Sequence, residues 1–328
     1  MKILYVDMQY DYGQKSRGLN QIGQIGFLQV FKSLGHEVSE FYYDEYLNQG
    51  RAELQEKLLS FADSVKPDLI FFCLYTDQFT KDTLLKLKSQ CKTMNWFGDD
   101  QWRFDSFTSH YAPCFTYSIT TDPFSVGRYK RIGIQNVILS QWAALNVDYG
   151  IDQADYKYDL SFVGGAQPVR KWIVSEFAKK GLNVHCFGHG WPHGPVSLER
   201  MVQIFKESKI NLNLTNSTNL DLRYLTHHWR NVVTAIRSPK TESQMKARNF
   251  EIPYYGGFQL ADYVPFIEKY YHVGREVVCY SQVNEAISLS RYYLENDTER
   301  EALKKEAIAR ARNEHTYRHR FSEIFQQI

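Results

Sequence analysis

The stretch Lys246–Pro265, KARNFEIPYYGGFQLADYVP, places two basic residues, the acid Glu251 and a pair of glycines close together. It predicts a short helix over Phe250–Tyr255 that ends at Gly256, because glycine readily adopts the left-handed conformation that ends many helices. The apolar run 257–260 that follows predicts a short buried strand, closed by polar residues and a proline. The segment therefore predicts a helix–turn–strand unit, the building block of an α/β fold.

The same unit carries side chains that suit a nucleotide-linked sugar. Lys246 and Arg248 can donate charge-assisted hydrogen bonds to a diphosphate. Gly256 and Gly257 leave space for a phosphate to approach backbone N–H groups. Glu251, which only accepts hydrogen bonds when ionised, suits a pair of sugar hydroxyls. The alternative interpretation is an ordinary helix C-terminus with charged residues on its surface.

This segment and the tail Glu314–Arg320, EHTYRHR, resemble the C-terminal half of the CgeB-like (spore maturation protein B-like) glycosyltransferases of GT-B fold. The family pattern is close to K-x-R-x-F-E-I-P-x-x-G-G-F-x-L, and every fixed letter is present here, as is the tail motif H-T-Y-x-x-R. The resemblance covers 155–320 closely and 1–150 mainly in topology. It implies a hexosyltransferase-type enzyme whose second domain binds the nucleotide-sugar donor, with Phe258 beside the glycine pair in that site.

Composition narrows the function classes. A chain of 328 residues predicts two domains of about 150 residues each. The 39 basic and 37 acidic residues give a net charge of +2 without a long like-charge block, which argues against a general nucleic-acid binder. No apolar run has the length of a membrane span.

Features of the N-terminus and the cysteines predict a cytoplasmic protein. The first residues, MKILYVDMQYD, turn polar after six positions, which is not typical of a signal peptide. Five cysteines, mostly in or beside predicted strands, are typical of reduced core thiols. Peripheral contact with a membrane stays open.

Apolar runs alternate with helical segments through both halves of the chain. This alternation predicts parallel sheets covered by helices on both faces. The predicted strands of the first half are Lys2–Asp7, Glu37–Tyr43, Leu69–Tyr75, Thr93–Phe97, Cys114–Thr120 and Asn136–Leu139. Those of the second half, besides 257–260, are Tyr158–Val163, Asn183–Phe187, Ile210–Leu214 and Glu276–Tyr280. The segment Thr215–Gln244 has no clear period and is either a long loop or a helical insertion around Tyr224–Ile236.

We therefore predict an α/β protein of GT-B type: two Rossmann-like, doubly wound parallel-sheet domains that face a central cleft. The predicted parts are an acceptor-side domain at 1–142, a linker at 143–157, a donor domain at 158–315, and a C-terminal helix at 316–328 that returns to the first domain.

A glycine turn follows the strand Tyr158–Val163. Gly164 and Gly165 precede a predicted helix that carries Arg170 and Lys171, and a helix N-terminus attracts anions. The turn is not a G-x-G-x-x-G fingerprint, and many glycine turns of this kind bind nothing. The resemblance implies that it holds the donor diphosphate, with Arg170 or Lys171 as the cation.

Asp99 and Asp100 follow the predicted strand Thr93–Phe97. Because the carboxyl ends of parallel strands point at the ligand crevice, either carboxylate can act as general base on an acceptor hydroxyl. The alternative is an acidic turn that caps the next helix. In retaining E-x7-E families a second acid lies eight residues before the position of Glu251; here that position is Ser243, so inversion and retention both stay open.

No metal and no cofactor are predicted. The segment HCFGHGWPHG fits no closed zinc pattern, and no D-x-D pair occurs to hold a metal-bound diphosphate. Positive side chains and helix N-termini would then neutralise the leaving group. The expected substrates are a nucleotide sugar, taken to be a UDP-sugar, and a hydroxyl of a glycan, glycolipid or protein. The rival functions are a non-catalytic two-domain binding protein and a nucleotide-sugar epimerase of the same fold.

Overall fold

The computed structural model describes residues 1–152, 154–217 and 221–328. The chain forms two compact units, Met1–Asn146 together with Tyr317–Ile328, and Val147–Thr316. Each unit contains one sheet in which every strand pair is parallel. Two parallel-sheet α/β units are the predicted fold class, which is confirmed. No helix in the described part of the chain is long and apolar enough to cross a membrane.

The sheet of the first unit has the strand order β2-β1-β3-β4-β5-β6. Its strands are β1 (Lys2–Asp7), β2 (Glu37–Tyr42), β3 (Leu69–Phe72), β4 (Lys92–Phe97), β5 (Tyr117–Thr120) and β6 (Val137–Leu139). Its longer helices are Arg51–Val65, Lys81–Gln90, Ser125–Arg131 and Tyr317–Phe325. Since β2 and β3 lie on opposite sides of β1, the strand order reverses there, and ligands of such sheets bind at that switch point.

The sheet of the second unit has the strand order β11-β10-β9-β7-β8. Its strands are β7 (Tyr158–Val163), β8 (Val184–Phe187), β9 (Ser208–Asn213), β10 (Gln259–Asp262) and β11 (Val278–Tyr280). Its helices are Pro168–Lys179, Leu198–Lys206, Leu222–His227, Trp229–Arg237, Arg248–Tyr254, Val283–Glu295 and Asp297–Glu314. The switch point of this sheet lies between β7 and β9. Of the two alternatives for Thr215–Gln244, the helical insertion is the one that occurs.

Local sequence explains where several elements begin. Pro168 opens its helix, where its missing N–H costs nothing. The hydroxyls of Thr80 and Ser197 accept hydrogen bonds from the first turns of the helices that follow them. Some strands are shorter than predicted. Ala112–Cys114 forms a 3-10 turn around Pro113, so β5 starts only at Tyr117, and β3 ends at Phe72 rather than at Tyr75.

The first long helix begins with a wide π-helical stretch, Ile22–Leu28, and continues as an α-helix over Gln29–Ser33. Glycine at position 26 lets this helix approach the C-terminal helix of the same unit. A Cβ on Gly26 would lie 2.7 Å from Cδ2 of Tyr317, which is fully buried. Phe31 and Phe321 pack edge to face beside it, with ring centroids 4.6 Å apart. The C-terminal helix is therefore part of the core of the first unit.

We expect Gly26→Ala to lower the free energy of unfolding by about 1–3 kcal/mol, because the added methyl group overpacks the contact with Tyr317. Gly127→Ala is the matched control, since a Cβ on that helical glycine meets nothing within 4 Å. Alanine at position 127 should raise the free energy of unfolding by about 0.5–1 kcal/mol. Urea denaturation measures both changes. Equal stability of the two variants would contradict this packing.

Candidate active site

Arg170 occupies the switch point of the second sheet. Its Nη1 donates to the carbonyl of Gly165 at 3.1 Å, after β7, and its Nη2 to the carbonyl of Leu214 at 2.9 Å, after β9. Its Nε lies 3.1 Å from the carbonyls of both Leu214 and Thr215. Burial lowers the pKa of Arg170 to about 10. Arg170 therefore ties two strand ends together, and much of its donor capacity is used within the protein.

Lys246 brings a second cation to the same edge of the sheet. Its Nζ lies 2.5 Å from Oδ1 of Asn216, which follows β9. Burial raises the pKa of Asp262, the last residue of β10, while the charges of Lys246 and Arg170 oppose that rise. The ends of β7, β9 and β10 thus gather two cations around one half-buried carboxyl group.

Arg248 and Glu251 form an ion pair on the helix Arg248–Tyr254. The Nη1–Oε2 distance is 2.6 Å, and the Glu251 side chain is only 8% exposed. Burial raises the pKa of Glu251, and the charge of Arg248 opposes the rise. The guanidinium of Arg248 also lies 5.4 Å from the ring centroid of Phe205. This pair holds a carboxylate one helical turn from the end that carries Lys246.

The glycine turn after β7 packs against the turn after β8. The carbonyl of Gly164 accepts a hydrogen bond from Nε1 of Trp191 at 2.9 Å. Gly188 has a φ of +127°, and a Cβ there would lie 2.4 Å from that same carbonyl oxygen. A Cβ on Gly165, by contrast, would meet nothing within 4 Å. Gly165 is therefore the glycine of the predicted pair that faces open space, and Lys171 is exposed on the helix beyond it.

Three residues of the predicted donor site lie at the other edge of the sheet. Gly256 and Gly257 precede β10, so they are at its amino end, and Phe258 is buried in the core. A Cβ on Gly257 would lie 2.7 Å from Nδ2 of Asn211 and 2.9 Å from Cγ2 of Ile252. Gly257 therefore allows close packing within the protein, whereas Gly256 supplies a φ of +90° after the helix. This placement corrects the prediction that Gly256 and Gly257 bind the diphosphate and that Phe258 belongs to the donor site.

The first unit contains a cavity of about 160 Å³ at the carboxyl ends of β1, β3 and β4. Asp99 lines this cavity, as predicted for a residue that follows β4. Asp100 does not: it is fully buried and accepts hydrogen bonds from Thr108 at 2.6 Å and Tyr129 at 2.8 Å. Burial raises the pKa of Asp100 to about 6. Of the two acids predicted as the base, only Asp99 is placed to meet a ligand.

Asp7 is a candidate residue that the sequence analysis missed. It ends β1, lines the same cavity, and accepts hydrogen bonds from the Tyr5 hydroxyl, the Met8 backbone N–H at 2.7 Å and Asn20 Nδ2 at 3.1 Å. Burial raises the pKa of Asp7 to about 7. The rule that singled out Asp99, a carboxylate directly after a buried parallel strand, would also have found Asp7.

Two indole groups form part of the cavity wall. Trp96 and Trp142 both line it, and among the residues that the structure describes neither indole N–H has a hydrogen-bond partner. Arg103 lies over the ring of Phe107, 4.3 Å from its centroid, on the same cavity wall. Aromatic faces, indole donors and carboxylate acceptors together can bind a small polyhydroxylated molecule.

The histidine-rich segment does not gather into a cluster. His193 stacks on Phe187 with ring centroids 4.8 Å apart, while His185 lies 3.2 Å from the amide nitrogen of Asn183. Within the described ranges, no group of three or more His, Cys, Asp or Glu side chains is arranged to hold a metal ion.

Residues 170–326 match a family model described as "Glycosyl transferase-like". The match covers Arg170, Lys246, Arg248 and Glu251. No curated protein shows a significant sequence match to the chain.

Several solved structures share the fold of the whole chain. The structure of Anabaena HepE in complex with UDP and glucose aligns with a TM-score of 0.65 at 10% identity, covering 100% of both chains. Sucrose-phosphate synthase from Thermosynechococcus elongatus aligns with a TM-score of 0.66 at 10% identity, covering 100% of this chain and 99% of that one. The T4 phage BGT structure, in complex with its UDP-glucose substrate, aligns with a TM-score of 0.57 at 12% identity, covering 100% and 97%. The chain therefore has a glycosyltransferase-like fold of GT-B type.

We expect Asp100→Asn to change how stability depends on pH. Because the folded state raises the pKa of Asp100 from 3.8 to about 6, it binds this proton more tightly than the unfolded state does. The titration of Asp100 therefore lowers the free energy of unfolding of the wild type by up to about 3 kcal/mol as pH rises from 4 to 7. The variant lacks this carboxyl group and should not show this decrease. Urea denaturation across this range gives the difference. Parallel stability curves for the two proteins would rule out the buried, ionisable Asp100 described here.

Proposed function

We propose that this protein is a glycosyltransferase that moves a sugar, most simply a hexose, from a nucleoside-diphosphate sugar to an acceptor hydroxyl. One observation carries the proposal. Lys246, Arg248 and Glu251 lie on or beside one helix end at the ligand-binding edge of the second sheet, inside the segment that matches the glycosyltransferase-like model. The structures of HepE and T4 phage BGT contain UDP or UDP-glucose, which supports a UDP-sugar as the donor here.

In this proposal the second unit binds the donor. When the bond from the sugar to the diphosphate breaks, negative charge grows on the leaving diphosphate, and fixed cations stabilise it. Lys246 and Arg248 supply that charge. The open Gly165 turn and the N-terminus of the helix Pro168–Lys179 add backbone donors, since Gln167 gives no side-chain cap there. Arg170 fixes this turn relative to the end of β9.

Glu251 is the proposed partner of the nucleotide ribose. Its Oε2 accepts from Arg248, and a carboxylate has further acceptor positions for two neighbouring hydroxyls. The charge of Arg248 lowers the pKa of Glu251 and so opposes the effect of burial. With side-chain cations on the diphosphate, we propose transfer without a metal ion.

The first unit binds the acceptor in this proposal. Asp99 in the cavity is the proposed general base, which removes the proton from the acceptor hydroxyl as that oxygen attacks the sugar. Asp7 and the unpartnered indole N–H groups of Trp96 and Trp142 would orient the acceptor. This role for Asp99 applies to an inverting reaction. In a retaining reaction Asp99 and Asp7 would only orient the acceptor.

The finer assignments are also proposals. The motif from Lys246 to Leu260 supports the CgeB-like group, and the acceptor is proposed to be a glycan, glycolipid or protein. All five cysteines are free thiols, which supports the cytoplasm as the proposed location. Release of nucleoside diphosphate that depends on an acceptor would separate a transferase from a binding protein or an epimerase.

We expect Lys246→Ala to weaken UDP binding at least tenfold, because it removes a charge-assisted hydrogen bond to the diphosphate. Lys180→Ala is the matched control: Lys180 is exposed at the far end of the helix Pro168–Lys179 and should matter less than twofold. Titration calorimetry in excess chelator measures both affinities and tests metal independence at the same time. Equal affinities, or no binding until a divalent cation is added, would contradict the proposed donor site.

We expect Asp99→Asn to lower turnover by about 10²–10⁴-fold while UDP affinity stays unchanged, because only the proton transfer is lost. Rates of UDP release from a UDP-sugar, with an acceptor present, give this value. Full turnover of the variant would exclude Asp99 as the base.

A further inference from the structure

The helix Trp229–Arg237 in the second unit turns its apolar side toward solvent. Trp229 is 67% exposed, Val232 40% and Ile236 80%. At 3.6 residues per turn these three positions share one side of the helix. The opposite side carries Asn231, which is buried and donates from Nδ2 to the carbonyl of Tyr224 at 2.8 Å. A surface helix normally buries its apolar side, so this orientation is reversed.

Positive charge borders the exposed apolar side. Arg230 and Arg237 are both exposed, and the guanidinium of Arg230 lies 5.5 Å from the ring centroid of Trp229. Residues 222–241 contain no acidic residue at all. Arg223 on the preceding helix is paired with Asp221 at 2.6 Å, so the net positive charge comes from the residues around Trp229–Arg237. Leu222 on that preceding helix is 75% exposed.

We propose that this face, formed by Trp229, Val232 and Ile236 with Arg230 and Arg237 at its border, docks on an anionic lipid bilayer. An apolar side with flanking arginines is the composition of helices that lie in the membrane interface. Indole rings favour that depth, and anionic headgroups attract the arginines. At 1.5 Å per residue the nine-residue helix is about 14 Å long. It is therefore suited to lie in the interface and is too short to cross the hydrocarbon core of about 30 Å.

The side chains of this face argue against two other occupants, a second copy of the chain and a nucleic acid. A symmetric contact between two copies would bring the same surface of each together, so the arginines of both copies would be gathered in one interface. Nucleic acid would use flat rings for stacking, whereas Val232 and Ile236 offer none. An anionic lipid surface can bury the aliphatic side chains and also pair its headgroups with the arginines. This inference goes beyond the proposed transferase activity and does not depend on it.

The test is co-sedimentation of the full chain with vesicles. The anionic vesicles contain equal amounts of phosphatidylglycerol and phosphatidylcholine, and the neutral ones contain phosphatidylcholine alone. We expect binding to the anionic vesicles that weakens in high salt and is at least tenfold lower on neutral vesicles. Ile236→Asp should lower binding to anionic vesicles at least tenfold, because it places a charge in the middle of the apolar side.

Phe124→Asp is the matched control. Phe124 is 61% exposed but belongs to the first unit, so this variant should bind like the wild type. Thermal unfolding of both variants checks that each is folded. Wild-type binding by Ile236→Asp, or equal binding to neutral and anionic vesicles, would overturn the proposal. A third result would also overturn it: light scattering shows that the wild type is a dimer, this dimer does not bind vesicles, and Ile236→Asp is a monomer. The occupant of the face would then be a second copy.

Discussion

Parallel pairing of the strands is the constraint on which both candidate sites depend. In a parallel sheet every strand ends at the same edge, so residues that are distant in sequence become neighbours there. Arg170 shows this most directly, since one guanidinium joins the carbonyls that follow β7 and β9. Lys246 and Asp262 belong to the same edge. The same constraint in the first unit gathers Asp7, Asp99 and Trp142 around one cavity.

The amino-acid pattern predicts the fold well because strand burial leaves a local trace. The runs Lys2–Asp7 and Tyr158–Val163 are short and rich in apolar residues, and the structure gives them the predicted bounds. The helical stretch from Asp100 to Tyr111 left no such trace. Its Trp, Phe and Tyr residues have modest helix propensity, and Phe104 and Phe107 stabilise it by packing in the core. Tertiary contacts of this kind cannot be predicted from a local period.

The candidate site was only partly predictable, because the same residue type serves two purposes. Gly165 faces open space, whereas Gly257 is required for close packing against Asn211 and Ile252, and a sequence shows the two glycines as equivalent. Asp99 and Asp100 are adjacent, yet only Asp99 lines the cavity. Which neighbour is buried depends on residues far along the chain, here Tyr129. In the same way, the side of the helix Trp229–Arg237 that faces solvent is set by Asn231, which is buried and bonded to the carbonyl of Tyr224.

Amide hydrogen exchange with and without UDP tests the central claim, that the carboxyl edge of the second sheet binds a nucleoside diphosphate. Backbone N–H groups next to a bound ligand open less often and exchange more slowly. We predict protection over 164–171, 214–217 and 246–251, with exchange over 256–258 unchanged. Protection at 256–258 without any change at 164–171 and 246–251 would contradict this account.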